Sequence, residues 1–186
     1  MDFLTLFIYS FLPSISKKSS LEIKKILALK KLNKGEILSS DGKFFILKSG
    51  IVKSFSLNNK NIAYTKNLFI SGNKQSSISN IINLPISKNS FECLTDVELY
   101  ECDIKQFEEL MKSNIEISIL SSKFLEYKVV LNENRIDSLI KLDTEKRYLI
   151  LLNEFPYLEK LIPKHQIAAY LNISPVQLTR IRKKQK

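Results

Sequence analysis

Ile167-Ala168-Ala169-Tyr170-Leu171-Asn172-Ile173-Ser174-Pro175-Val176-Gln177-Leu178-Thr179-Arg180-Ile181-Arg182-Lys183-Lys184 reads as two short helices joined by a tight turn. Ser174-Pro175-Val176-Gln177 places Ser as N-cap, Pro at the first helical position and Gln at the third, which is a helix start. Pro163 sits where it can open the preceding helix, which runs through Leu171. Two helices that cross steeply through a short turn must share a small core. Ile167, Leu171, Ile173, Leu178 and Ile181 supply that core. The crossing needs a small side chain, here Ala168, and the turn needs a residue tolerant of a left-handed backbone, here Asn172. Every position is filled suitably, so the stretch is expected to form a helix-turn-helix.

In that motif the second helix lies in the DNA major groove, with its N-terminal residues toward the base edges. The recognition helix is then Pro175–Lys184. With Leu178 and Ile181 turned inward, Val176, Gln177, Thr179, Arg180 and Lys183 are left to face DNA. Base readout is expected from Arg180, Gln177, Val176 and Thr179, with Arg180 foremost because its fork matches the O6/N7 pair of guanine. Gln177 could read adenine or serve as a helix cap, and both roles stay open. Lys164, His165, Ser174, Arg182, Lys183 and Lys184 are the candidates for phosphate contact. For Arg182 and the terminal lysines a solvated tail is the competing reading.

The charge agrees with this placement. The 186 residues hold 29 Lys plus Arg against 19 Asp plus Glu, a formal +10. Residues 144–186 carry nine basic and three acidic residues, so +6 of the excess lies in the segment that contains the motif. A basic excess indicates a polyanionic partner. Lys, Ile and Asn codons favoured by an A/T-rich genome would raise the Lys total, but not its concentration at one end. At 44% apolar and 26% charged residues the composition is that of an ordinary globular chain, not a collagen-like, disulfide-stapled or wholly disordered one.

Upstream, the pattern changes twice. Residues 34–38, 44–48, 51–57, 62–64, 91–94 and 97–102 are short β-rich runs. Turn signals at Asp41-Gly42, Ser49-Gly50 and Asn58-Asn59-Lys60-Asn61 separate several of them, which suggests a small antiparallel barrel or sandwich. The Ser/Asn-rich stretch 71–90 has no evident period. Asp103-Ile104-Lys105-Gln106 and Ser113-Asn114-Ile115-Glu116 then have capping-box spacing. After the second, Ile117, Leu120, Phe124, Tyr127 and Leu131 recur at 3, 4, 3 and 4, an a/d heptad seam that continues in register to Asn134. That seam is expected to serve, at least in part, as a dimerisation surface; packing on the chain's own barrel is the alternative. Thr144 is expected to cap a helix over 145–154. At the other end, the apolar run 3–12 follows Asp2 and meets Pro13, so it reads as a short amphipathic helix packed on the domain. Ser19-Ser20-Leu21-Glu22 suggests a further short helix. With no segment of transmembrane length, a cytoplasmic chain without a membrane partner is expected.

These motifs together resemble the Crp/Fnr regulators. Lys34-Gly35-Glu36 and the hairpin 44–50 followed by Ile51-Val52-Lys53 resemble that family's β-roll. Residues 113–131 sit where the family has its dimerisation helix. Glu145-Lys146-Arg147-Tyr148, Phe155-Pro156, and 167–175 with Leu178-Thr179-Arg180-Ile181-Arg182 look like its DNA-binding half. The resemblance spans nearly the whole chain. It implies an α+β fold with three parts: an N-terminal antiparallel β-roll of the cyclic-nucleotide-binding jelly-roll type (1–112), a long dimerisation helix (113–142), and a C-terminal winged-helix-turn-helix-like helical domain (143–186). It also implies a homodimer on a palindromic operator, with RNA polymerase as a further partner. Arg180 aligns with a family arginine that contacts bases, and Val176 stands where some members carry an acidic residue for cytosine.

The departures bear on the effector. Cyclic-nucleotide binders in this family carry a Gly-Glu for the ribose and an arginine for the phosphate. The corresponding stretch, 71–90, has neither, and Asn89 stands in place of the arginine. An anionic phosphate would lose its bidentate cation there, so no cyclic nucleotide is expected. No iron–sulfur cluster is expected, because the first cysteine is Cys93. Nor is haem, because the single histidine, His165, lies in the helix-turn-helix. Cys93 and Cys102 read as structural. An enzyme of the metal-dependent barrel type needs clustered His and carboxylates, which one histidine outside the barrel does not supply. The competing reading is a ligand-sensing or protein-binding β-roll module whose helix-turn-helix no longer binds DNA.

Overall fold

The computed structural model describes residues 1–38, 42–71 and 90–184. The elements in chain order are α1 (Phe3–Phe11), α2 (Lys17–Ile26), β1 (Ala28–Leu32), β2 (Ile37–Leu38), β3 (Lys43–Ser49), β4 (Ile51–Leu57), β5 (Ala63–Ile70), β6 (Ser90–Cys93) and β7 (Val97–Asp103). The helices α3 (Ile104–Ser113), α4 (Ile115–Lys141), α5 (Thr144–Glu154), α6 (Leu158–Leu161), α7 (Lys164–Leu171) and α8 (Pro175–Lys184) follow. Asp41 of one expected turn, and Asn89 with nearly all of the stretch compared to a nucleotide cassette, lie outside the described residues.

The strands form two antiparallel sheets, one ordered β1-β7-β3 and the other β2-β6-β4-β5. Alternation along the strands assigns each face. Phe45, Leu47 and Leu99 of the first sheet share a core with Val52, Phe69 and Phe91 of the second. Phe44, Ile46 and Cys102 belong to another core, with α1 to α4. Ile51, Leu68 and Ile70 belong to a third, with α5 to α8. The result is four layers: N-terminal helices, sheet, sheet, C-terminal helices. The sheet edge at β1 carries Lys30 and Lys31, exposed, with Glu101 and Glu98 of β7 as their ion-pair partners. Charged edge residues of this kind discourage a second strand from adding.

The chain crosses from the first sheet to the second at Gly50. Its φ is +96°, and a Cβ there would lie 2.4 Å from the carbonyl oxygen of Asp96. Only glycine fits both the torsion and the approach.

Several helix starts are displaced from expectation. Ser16, not Ser19, caps α2, and its hydroxyl accepts from the Ser19 N–H. The Glu116 carboxylate of α4 holds that position by accepting from the backbone N–H of Ser16 at 3.2 Å. Asn114, not Ser113, caps α4, and Asp143, not Thr144, caps α5. Asp2 caps α1, whose Leu4, Phe7 and Ile8 are buried as the amphipathic reading required. Two strand features went unexpected, β1 and the Thr65-to-Ile70 part of β5.

The heptad seam is the largest departure. Ile117, Leu120 and Phe124 of α4 are buried inside the chain, not held open for a second copy. Phe124 meets Phe11 edge-on at 4.7 Å and lies 5.7 Å from Phe7. Tyr127 stands edge-on to Phe11 at 5.7 Å and, like Leu131, is half-buried. The apolar N-terminal helix has taken the stripe first. Among the described residues 143–184 no strand is present to form a wing, and no helix is long and apolar enough to cross a membrane.

Two outcomes follow for stability and reactivity. Gly50→Ala should lower the unfolding free energy by about 2–4 kcal/mol in denaturant titration, from torsional strain plus a backbone clash. Cys93 and Cys102 are free and buried, and burial first of all pushes their thiols up to about 11 and about 12. The thiolate is the reactive form, so a thiol reagent at mildly alkaline pH should label neither in the folded protein and both in denaturant. Fast labelling of either in the native state would contradict that burial.

Candidate nucleic-acid interface

The α7–turn–α8 unit is built as the local chemistry demands. Asn172 ends α7 in the left-handed conformation, φ 58° and ψ 47°. Its N–H donates to the Ala169 carbonyl at 3.2 Å, and the Ile173 N–H donates to Ala168 at 3.0 Å. That satisfies carbonyls the helix end would otherwise leave open. Ser174 and Gln177 then close a reciprocal cap on α8. The Gln177 N–H donates to the Ser174 hydroxyl at 3.2 Å, and the Ser174 N–H donates to the Gln177 side chain at 2.9 Å. Ile167, Ala168, Leu171 and Leu178 are almost fully buried at the crossing, with Ile173 and Ile181 packed at its margin.

This closure decides which side chains face outward. Val176 is 62% exposed, and Gln177, Thr179, Arg180 and Lys183 are exposed with it. The Thr179 hydroxyl donates to the Pro175 carbonyl at 2.9 Å, so its oxygen is left to accept. Gln177 has its carbonyl engaged by the cap, which favours the structural half of its two expected roles. Ser174 is likewise exposed but committed to capping. Lys164 and His165 are exposed at the start of α7. Among the described residues Lys164, Arg180 and Lys183 have no carboxylate partner, so their charges stand open to solvent.

Arg182 departs from expectation. Its Nε pairs with Glu159 Oε1 at 2.7 Å, and its Nη2 donates to Glu159 Oε2 at 3.2 Å. The Tyr148 hydroxyl donates to the same carboxylate at 2.8 Å. Burial, then the Glu159 contact, lifts that phenol to about 12. A guanidinium held bidentate in a half-buried network is a strut between α8, α6 and α5, not a free phosphate ligand. Lys184 lies 3.6 Å from Glu145 and stays exposed.

The unit is seated on the second sheet. Ile51, Leu68, Ile70 and Leu94 form one apolar core with Ile167, Leu171 and the rest of the helical end. Lys53 of β4 pairs with Glu92 at 2.7 Å and donates to Gln166 of α7 at 3.3 Å. Arg147 of α5 donates to the Leu142 carbonyl at 2.7 Å and to the Leu171 carbonyl at 3.2 Å. An open groove of about 570 Å³ remains beside the seat, lined by Tyr64, Lys66, Arg135, Asn172, Ser174 and Gln177 among others. Lys53, Arg135 and Glu159 carry no spacing signal, because their partners are distant in the chain. Arg147 lies in the Glu145-Lys146-Arg147-Tyr148 motif. Among the described residues no group of three or more His, Cys, Asp or Glu is placed to hold a metal ion.

No family model matches the chain, and no curated protein matches it. Solved structures do. The chain is similar to a transcriptional regulator of the Crp/Fnr family from Eubacterium rectale, at 16% identity and a TM-score of 0.68, over 95% of this chain and 86% of that one. It is similar to FixK2 from Bradyrhizobium japonicum, at 12% identity and a TM-score of 0.66, over 86% and 84%. It is also similar to CLP of Xanthomonas campestris, described as a c-di-GMP-responsive global regulator, at 14% identity and a TM-score of 0.61, over 91% of each. At such identities the likeness concerns the fold. With its paired sheets, long helix and terminal helix-turn-helix in the same order, the chain has the fold of the Crp/Fnr regulators.

Proposed function

We propose that this chain is a sequence-specific DNA-binding transcriptional regulator that acts as a homodimer on a palindromic operator. One observation carries the reading: the helix-turn-helix buries Ile167, Ala168, Leu171 and Leu178 and leaves Arg180, Lys183 and Lys164 exposed, with no carboxylate partner among the described residues. A motif retained only as a packing module has no need of that arrangement. Arg180 reads a base edge, with Val176 and Thr179 beside it and Gln177 in a mainly structural part. Lys183, Lys164, His165, Ser174 and Lys184 lie toward the phosphates. The structural neighbours are regulators, not enzymes, which supports a non-enzymatic role.

The homodimer rests on a different face of α4 from the one the heptad suggested. Leu125, Val129, Ile136 and Leu139 recur at 4, 7 and 3 and are 40–58% exposed. Asn132 falls between Val129 and Ile136 in the same register. An apolar stripe with one polar core position is what a two-stranded pair of helices uses to set its register. RNA polymerase is the further partner and the cytoplasm the place of work that such a regulator implies. The lack of Gly-Glu and of an arginine in residues 71–90 favours control without a cyclic nucleotide.

Selection from random duplexes should enrich a palindrome. Arg180→Ala should relax preference at one base position per half-site, at a cost of roughly 1–3 kcal/mol, while Lys183→Ala weakens all sequences alike and lowers the salt slope by about one. No enrichment at moderate salt would leave the protein-binding module as the reading. Sedimentation should show a dimer, and Val129→Asp with Ile136→Asp should make it a monomer of unchanged fold. A wild-type chain that sediments as a monomer at micromolar concentration would remove the homodimer.

A further inference from the structure

A helix-turn-helix dimer must hold two recognition helices at a fixed separation as well as shape each of them. The covalent link from α4 to α7 runs through α5, α6 and their loops, over twenty residues, and does not by itself fix that separation. A non-covalent contact does bridge α4 to α7 directly. The Arg135 guanidinium, from the last third of α4, donates through Nη2 to the Tyr170 carbonyl. Its Cζ also lies over the Tyr170 ring, 4.0 Å from the centroid. One residue on, the Leu171 carbonyl accepts from Arg147 at 3.2 Å. The last turn of α7 therefore meets two guanidinium groups from outside the helix-turn-helix, at the end where helix carbonyls are open and the helix dipole favours cations.

We propose that Arg135 is a positioning residue that fixes the recognition helix relative to the long helix, and so sets the spacing between the two half-sites of the operator. This rests on the DNA-binding dimer reading above. Three observations carry it. The contact is two-point, ring plus carbonyl, so it constrains orientation as well as distance, and an ammonium, with no planar fork to span both, would hold it less well. It joins the helix carrying the dimer stripe to the helix that backs α8, and Asn172 follows Tyr170 by two residues, so motion of α7 is passed to α8 through a single turn. Finally, the Nε of Arg135 is buried with no partner among the described residues. A buried donor left unpaired is a stability cost, so the guanidinium is placed for its geometry more than for the energy it returns.

The test is selection on random duplexes, scored for half-site bases and for half-site separation, with wild type, Arg135→Ala, Arg135→Lys and Arg180→Ala, each checked by circular dichroism and thermal melting. Wild type should favour one separation over those one base pair longer or shorter by about tenfold. Arg135→Ala should keep the half-site bases and lose most of that preference, and Arg135→Lys should fall with Ala, not with wild type. Arg180→Ala should do the opposite, keeping separation while relaxing a base. Should Arg135→Ala fail to fold, Tyr170→Leu, which keeps the carbonyl and removes the stacked ring, carries the same expectation. Sharp separation retained in the folded Arg135 or Tyr170 variant overturns the clamp alone. A wild type that enriches half-sites without fixed separation also overturns it. A wild type that enriches no sequence overturns the DNA-binding reading and the clamp together.

Discussion

The architecture depends on one packing event, the burial of Ile167, Ala168 and Leu171 of α7 between Leu178 of α8 and the outward face of β4 and β5. Ala168 lets the two short helices approach. Neither helix, at eight and ten residues, would be stable alone in water. The seat on Ile51, Leu68 and Ile70 gives them a second surface to bury against. The same residues that make the recognition helix a rigid object therefore attach it to the sheet. The shape of the helix-turn-helix and its seat on the sheet come from a single apolar core, and the exposed cations of α8 are presented by it.

A second constraint is the competition for α4. Its apolar residues fall on two faces, and the N-terminal helix claims one of them through Phe7 and Phe11. That leaves the stripe of Leu125, Val129 and Ile136 exposed. The division lets one helix of 27 residues complete a domain core and still leave an apolar stripe exposed, the stripe on which the proposed homodimer rests. Arg182 shows the same economy in polar terms, since Glu159 and Tyr148 use its charge to tie α8 to α5 and α6. The +6 of the C-terminal segment thus overstates what is open to a polyanion.

What was legible in the sequence was what local chemistry settles. Asn172 had to be left-handed, Ser174 and Gln177 had to cap, and Ala168 had to sit at a crossing; those requirements lie within a few residues of one another. Partners distant in the chain were not legible. A heptad spacing reports an apolar stripe, not what covers it, so Ile117, Leu120 and Phe124 were read toward a second chain and are covered by the first. The end of β5 was missed because Leu68, Phe69 and Ile70 are buried on both faces, which erases the alternation that marks a strand. The helix caps moved by one to three residues because Glu116 favours Ser16 across the fold, and because neighbouring Ser, Asn, Asp and Thr are near-equal caps.

In the proposed complex with DNA, Arg180 on α8 reads a guanine edge in the major groove. Methylation of guanine N7 blocks that edge and leaves the minor groove and phosphates untouched. In an interference experiment on an enriched duplex, methylation at one guanine in each half-site should abolish binding of the wild-type chain and have no effect on what binding Arg180→Ala retains. Binding indifferent to N7 methylation, or interference that persists unchanged in Arg180→Ala, would contradict readout of guanine by Arg180.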